Sequence, residues 1–92
     1  MNRGLPIALT VALLSPAWAQ KPGLGEAQKL VYSASAKFQA QDYEGALVDL
    51  QAAEKLAMAA NDPALARIRF NVARTLEELE RWDEALAAYE RY

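Results

Sequence analysis

Two arginines and an asparagine recur at helical spacing in the second half of this 92-residue sequence. Arg67, Asn71 and Arg74 stand at steps of four and three residues, and Glu78 follows after a further step of four. Such steps place side chains on one face of a helix, here opposite the apolar positions. Guanidinium groups donate charge-assisted hydrogen bonds to carboxylates, so this face could hold an acidic or carboxylate-bearing segment. The alternative is an ordinary hydrated helix face.

A matching polar series stands earlier in the sequence, and each of its members precedes its counterpart by the same interval. Its members are Gln28, Tyr32, Ser35 and Gln39. Tyr32 occupies the position that corresponds to the asparagine of the later series. We therefore take five residues as the candidate partner-binding set: Tyr32, Ser35, Arg67, Asn71 and Arg74. The partner that this set predicts is a protein or a peptide.

The side chains that usually carry out catalysis are missing. The sequence has no His and no Cys, and so offers no imidazole base, no thiolate and no usual pair of transition-metal ligands. Ser33, Ser35 and Lys37 are close in sequence, but on a helix Ser35 and Lys37 lie about 200° apart and cannot form a hydrogen-bonded dyad. We predict that the protein is not an enzyme and that it has no cofactor and no metal site.

Acidic side chains are concentrated between residues 77 and 84, where one predicted helix ends and the next begins. They are Glu77, Glu78, Glu80, Asp83 and Glu84. A hard-cation site would need several oxygens converging in a tighter loop. The favoured interpretation is a solvated surface with partial ion pairing, because Glu77 precedes Arg81 by four residues and Asp83 suits the amino-terminal end of a helix.

The polar series lie within an internal repeat of the sequence. Residues 42–47 superimpose on residues 81–86, and both segments hold an aromatic residue followed three residues later by Ala-Leu. Apolar residues recur at steps of three and four before and after each aromatic residue, which predicts a helix, a tight turn and a second helix in each copy. The whole chain then has four helices and almost no strand.

Small residues mark where the two helices of each copy should meet. Ala34 should face Ala46 in the first copy, and Ala73 should face Ala85 in the second, so that the helix backbones approach closely. The aromatic residue at each turn should wedge beneath that turn. These aromatic residues are Tyr43 and Trp82.

With these residues in place, the sequence resembles the tetratricopeptide repeat (TPR) family. The matching positions are Ala34, Tyr43, Ala46, Leu50 and Ala53 in the first copy and Ala73, Trp82, Ala85 and Tyr89 in the second. The resemblance implies an all-α fold, an α-solenoid of two helix-turn-helix units at 26–60 and 61–92. It also implies that the first helix of each unit lines a concave groove, and that Asn71, two residues before Ala73, contacts the backbone of a bound peptide.

The sequence departs from the family pattern in three places. Its period, from Tyr43 to Trp82, is longer than the roughly 34 residues typical of the family. Good helix formers run through 57–60, so the extra residues should lengthen the second helix, which we predict from about 43 to 60. Gln41 stands where a turn glycine is common, and Tyr92 stands where the pattern expects alanine.

The boundary between the units carries turn residues. Asn61 can adopt the left-handed conformation that ends a helix, and Asp62 can cap the next helix. Pro63 suits the first helical position. We therefore predict that the third helix begins at Pro63.

The segment 1–19 has the pattern of a signal peptide. Arg3 supplies positive charge, residues 5–14 are mostly apolar, and small residues at Ala17 and Ala19 suit a signal peptidase. An uncleaved anchor or a buried helix is the alternative, but ten or so apolar residues are too few to span a bilayer. We predict an exported bacterial protein, periplasmic or secreted, with an irregular lead at 20–25 and no membrane span in its mature form.

Charge and the last helix bear on the partners. Residues 20–92 hold nine Lys and Arg and twelve Asp and Glu, a net charge of −3 that argues against nucleic acid.

The last helix should expose Leu86 and Tyr89, because no following helix would cover them. We interpret the second unit as truncated within a longer repeat protein; the alternative is self-association through this exposed edge. Two function classes follow: an exported scaffold that binds a partner in a groove, or a structural spacer without a ligand groove.

Overall fold

The computed structural model describes residues 24–92, and the predicted signal peptide and most of the predicted lead lie outside that range. The described part of the chain is all-α, as predicted, and contains no strand. Its four helices are α1 (Leu24–Gln39), α2 (Tyr43–Ala59), α3 (Leu65–Glu78) and α4 (Trp82–Arg91). None of these helices is both long enough and apolar enough to cross a membrane.

Helices that are consecutive in the chain pack against each other. α1 and α2 form one hairpin, α3 and α4 form a second, and α2 joins the two by packing on α3. Four alanines that the sequence places at the helix contacts are all buried in one core cluster: Ala34, Ala46, Ala73 and Ala85. A side chain of one carbon atom lets helix backbones approach closely, so the predicted small-residue contact is present in both hairpins.

The turns within the two hairpins repeat each other in backbone conformation. Gln41 and Glu80, which are equivalent positions of the repeat, both have positive φ, at 67° and 59°. In each turn the following residue donates its amide to the carbonyl five residues back, Asp42 to Lys37 and Arg81 to Leu76. This is the Schellman arrangement, which satisfies the last carbonyls of a helix. The repeat of the sequence is therefore also a repeat of the backbone.

The connection between the hairpins differs in one respect from the prediction. Asn61 has a φ of 52°, so its left-handed conformation is confirmed. Asp62 accepts a hydrogen bond from the Ala64 amide at 2.9 Å, but α3 begins at Leu65 and not at Pro63. The Leu65 amide bonds the Asp62 carbonyl three residues back, which makes a tight turn in front of the helix. Pro63 lies in that turn.

Two other helix boundaries lie close to the predicted ones. α2 ends at Ala59, one residue before the predicted end, and its length of 17 residues accommodates the long period. α1 begins at Leu24, so the last two positions of the predicted lead are helical.

The aromatic residues at the two turns have different surroundings. Tyr43 packs edge-on against Phe38, with ring centroids 5.0 Å apart, as expected for a wedge beneath the turn. Trp82, in contrast, is 60% exposed, so the predicted wedge is wrong for the second hairpin. The reason is the residue that corresponds to Phe38, which is Glu77. A carboxylate offers no apolar surface on which Trp82 could pack.

Candidate functional site

A groove with two neighbouring cavities lies between α1 and α3. The first cavity has a volume of about 300 Å³ and lies between the carboxy-terminal halves of these helices. The second has a volume of about 490 Å³ and lies between their amino-terminal halves. Val31 of α1 and Asn71 of α3 line both cavities, so the two form one continuous feature. We call it the α1–α3 groove.

All five residues of the predicted partner-binding set line this groove. Ser35 and Arg74 line the first cavity, and Tyr32 and Arg67 line the second. Asn71 lies where the two cavities meet. The set converges because the polar series on α1 and α3 stand at equivalent positions of the repeat, and helices that are equivalent in the repeat turn equivalent faces to the same side.

The two arginines of the groove differ in their electrostatic surroundings. The Arg74 guanidinium lies 3.6 Å from a Glu77 carboxylate oxygen and 4.0 Å from one of Glu78. All three side chains are substantially exposed, so water screens these pairs and each contributes at most about 1 kcal/mol. Arg67 has no ion-pair partner among residues 24–92. Its charge is the less compensated of the two.

The other polar groups of the groove are positioned from within their own helices. The Gln28 amide donates a 2.8 Å hydrogen bond to the Tyr32 hydroxyl, one turn along α1. On α3 the hydroxyl of Thr75 donates to the carbonyl oxygen of Asn71 at 2.7 Å. Thr75 is thereby satisfied although it is buried, and Asn71 itself lines both cavities.

Apolar residues of the groove were not singled out as binding residues in the sequence. Phe38, Leu50 and Phe70 line the first cavity, and Ile68 lines the second. The Phe70 ring is held by aromatic residues of α4, with centroids 5.8 Å from Tyr89 and 5.4 Å from Tyr92. Phe70 stands at the repeat position of Val31, so the two copies place an apolar residue in the groove from both α1 and α3.

The acidic cluster at the end of α3 forms separate pairs. The Arg81 guanidinium makes two hydrogen bonds to Glu84, at 2.8 and 2.7 Å, and these bonds lower the pKa of the Glu84 carboxyl. Glu77 instead accepts a 2.8 Å hydrogen bond from the Tyr89 hydroxyl. The predicted Glu77–Arg81 pair is therefore wrong, because α3 ends at Glu78 and the helical spacing does not extend to Arg81. In residues 24–92 no three acidic side chains are placed to hold a metal ion.

A polar network on the first hairpin involves one residue of the rejected serine-lysine dyad. The Lys37 ammonium contacts a carboxylate oxygen of Asp49 at 3.0 Å, while Ser35 lines the groove. Lys37 shares this Asp49 oxygen with Ser33, whose hydroxyl donates a hydrogen bond to it at 2.6 Å. The Ser33 hydrogen bond, with help from Lys37, holds the pKa of Asp49 below its usual value. Such a network stabilises the ionised form of the carboxylate.

Comparisons with models of known protein families, with curated protein sequences and with solved structures found no match.

Proposed function

We propose that this protein is an exported interaction module whose α1–α3 groove binds a peptide or a helix of a partner protein. The observation that carries the proposal is the convergence of Tyr32, Ser35, Arg67, Asn71 and Arg74 on the two joined cavities. The two hairpins are, in this proposal, TPR-like units, and their first helices provide the binding face. The module acts as a scaffold or adaptor and carries out no reaction itself.

The chemistry of the groove defines the ligand. Apolar side chains of the ligand enter the two cavities: Val31 lines both, Phe38 and Phe70 line the first, and Ile68 lines the second. Between them the Asn71 amide can both donate to and accept from a peptide backbone, because an amide carries both kinds of group. A ligand with apolar residues on either side of an accessible peptide group therefore fits the groove.

Carboxylates of the ligand pair with Arg67 and Arg74. Arg67 has no ion-pair partner among residues 24–92, so a ligand carboxylate can pair with it without breaking an existing ion pair. Arg74 must exchange Glu77 or Glu78 for the ligand, which costs little because exposed pairs are weak. The preferred ligand thus combines apolar residues with Asp, Glu or a terminal carboxylate.

A second candidate function is a structural spacer that has no ligand of its own. The observation in its favour is the exposed apolar surface of α4, where Trp82 and Leu86 face solvent. In that case the protein functions through contacts of α4, and substitutions in the groove do not affect its function.

A random library of 12-residue peptides displayed on phage distinguishes the two candidates. Selection on the full chain should enrich peptides that combine apolar residues with Asp or Glu. Arg74→Glu should weaken their binding about ten-fold or more, since a hydrogen bond to a charged group contributes about 1.5–3 kcal/mol. Lys55→Glu is the matched control, because Lys55 is an exposed cation of α2 that does not line the groove.

Far-UV circular dichroism of both variants should equal that of the parent chain, which separates loss of binding from loss of structure. The groove proposal fails if no sequence preference emerges, or if Arg74→Glu and Lys55→Glu retain the selected peptides equally.

A further inference from the structure

Two leucines at equivalent positions of the repeat differ in burial. Leu47 of α2 is 3% exposed, whereas its equivalent in α4, Leu86, is 62% exposed. Trp82 lies four residues before Leu86 on the same face of α4 and is also exposed. We call Trp82, Asp83 and Leu86 the outer face of α4. None of its residues lines the α1–α3 groove.

In the first hairpin, the repeat position of Leu86 is occupied by Leu47, and α3 covers it. Leu47 lies in the same core cluster as Val72 and Leu76 of α3. Ile68, one turn earlier on α3, packs with the alanines of α2. These three aliphatic residues of α3 recur at steps of four and are each at most 3% exposed. The α2 surface is thus covered by an amphipathic helix with aliphatic side chains at positions i, i+4 and i+8.

The corresponding face of α1 has a different chemistry. The residues of α1 that are equivalent to Ile68, Val72 and Leu76 in the repeat are Lys29, Ser33 and Lys37. Ser33 and Lys37 contact the Asp49 carboxylate, which takes the place of the buried Ala88 of the second hairpin. If a second copy placed its α1 on the outer face of α4, charged and polar side chains would lose water against Leu86 without gaining partners. A second copy therefore does not fit this face in the way that α3 fits α2.

A charge pair accompanies the contact between the hairpins. The Arg81 guanidinium, just after α3, lies 3.7 Å from a Glu44 carboxylate oxygen of α2. The residue of α4 that corresponds to Glu44 is Asp83, which is exposed. A helix that covers the outer face of α4 in the same way would bring a basic residue opposite Asp83.

We infer that the outer face of α4 is a second docking surface, for an amphipathic helix of a partner protein. That helix carries aliphatic residues at i, i+4 and i+8, and a basic residue about five positions after the last of them. The contact continues the α2–α3 interface by one step of the repeat. It does not depend on the α1–α3 groove.

Two 18-residue peptides from the chain itself test this inference. The peptide of residues 64–81 holds the α3 pattern, and the peptide of residues 25–42 holds the corresponding polar pattern of α1. Neither contains tryptophan, so Trp82 reports binding once Trp18, the other tryptophan, is replaced in the full chain by Trp18→Phe. Titration with the 64–81 peptide up to millimolar concentration should shift the Trp82 fluorescence to shorter wavelength, because the helix excludes water from the indole.

Three controls make the test decisive. The 25–42 peptide should leave the emission unchanged, and Leu86→Glu should weaken the response to the 64–81 peptide at least ten-fold. Arg74→Glu, in the groove, should leave the response intact, so failure here and failure of the proposed groove function are distinguishable. The inference is overturned by no response to the 64–81 peptide, by equal responses to both peptides, or by a dimer of the chain alone that Leu86→Glu dissociates.

Discussion

Ser33 of α1 donates a 2.6 Å hydrogen bond to Asp49 of α2 and thereby ties the two helices of the first hairpin together. Lys37 contacts the same carboxylate oxygen at 3.0 Å. Both contacts favour the ionised form of Asp49, so its pKa lies below the ordinary value of 3.8. The second hairpin has only apolar residues at these three positions, namely Val72, Leu76 and Ala88.

The lowered pKa of Asp49 predicts a specific dependence of stability on pH. A carboxyl whose pKa is lower in the folded state stabilises the fold fully above the unfolded pKa near 3.8, and this contribution is lost as the pH falls through the folded pKa. At pH 7, Asp49→Asn should lower the free energy of unfolding by about 1 kcal/mol, because Lys37 is partly exposed and its charge is screened.

Urea unfolding of the parent and Asp49→Asn chains between pH 7 and pH 2 measures this effect. The difference between them should shrink below pH 3.8. Glu90→Gln makes the same chemical change on the exposed surface of α4 and should have little effect at any pH. A difference for Asp49→Asn that stays constant down to pH 2 would contradict the assignment.

The left-handed turn residues predict a stabilising substitution. Gln41 has a φ of 67°, where a side chain crowds the backbone and glycine does not. Gln41→Gly should therefore raise the free energy of unfolding by about 0.5–1 kcal/mol. Gln51→Gly, in the middle of α2, should lower it by about 1 kcal/mol. Urea unfolding of both variants gives the two signs, and equal destabilisation by both would rule out the Schellman turn at Gln41.

The unequal burial of Leu47 and Leu86 predicts unequal costs of truncation. Leu47→Ala removes a side chain from the core cluster and should cost about 2–5 kcal/mol, enough to unfold much of so small a core. Leu86→Ala removes a side chain that faces solvent and should change stability by no more than about 0.5 kcal/mol. Thermal unfolding followed by circular dichroism measures both, and similar losses would show that the outer face of α4 is covered in the chain itself.

Giving α1 the residues of α3 should convert the chain into a polymer. The variant Lys29→Ile, Ser33→Val, Lys37→Leu and Asp49→Ala places the aliphatic pattern of the second hairpin on the first. Its α1 face would then match the Leu86 face of another copy, and such a head-to-tail contact does not close on itself. Sedimentation velocity should show large species that grow with concentration, whereas the parent chain should show none.

Leu86→Glu, added to this fourfold variant, should restore the small species, because it places a charge at the centre of the contact. A fourfold variant that folds and stays monomeric at all concentrations would indicate that the outer face of α4 does not accept the α3 pattern.

Much of this architecture could be read from the sequence, and the failures have local causes. Helical spacing around Tyr43 and the two small-residue pairs predicted the hairpins, since both patterns depend only on residues within the same copy. The prediction of a Glu77–Arg81 ion pair was wrong because it assumed an uninterrupted helix, whereas α3 ends between the two residues. The predicted packing of Trp82 beneath its turn was wrong because such packing needs an apolar neighbour, and the second copy has Glu77 at that position.

The candidate site likewise has a part that the sequence predicted and a part that it did not. The polar series on α1 and α3 were predictable, because the spacing of Arg67, Asn71 and Arg74 places them together wherever the helix lies. The cavities between them were not predictable, since the first is lined by Phe70, whose ring packs against Tyr89 and Tyr92 of a different helix. Periodicity identifies the face of a helix but contains no information about what packs against it.

The sequence by itself determined the helical pairs, the offset of the repeat and the five polar residues of the candidate site, because each follows from spacing along the chain. Only the tertiary structure decided which of two equivalent leucines is buried, since Leu47 and Leu86 stand in the same local pattern and differ only in the presence of a neighbouring helix. Leu47 is buried because α3 covers it. For the same reason, only the tertiary structure joined residues of α1 and α3 into one groove.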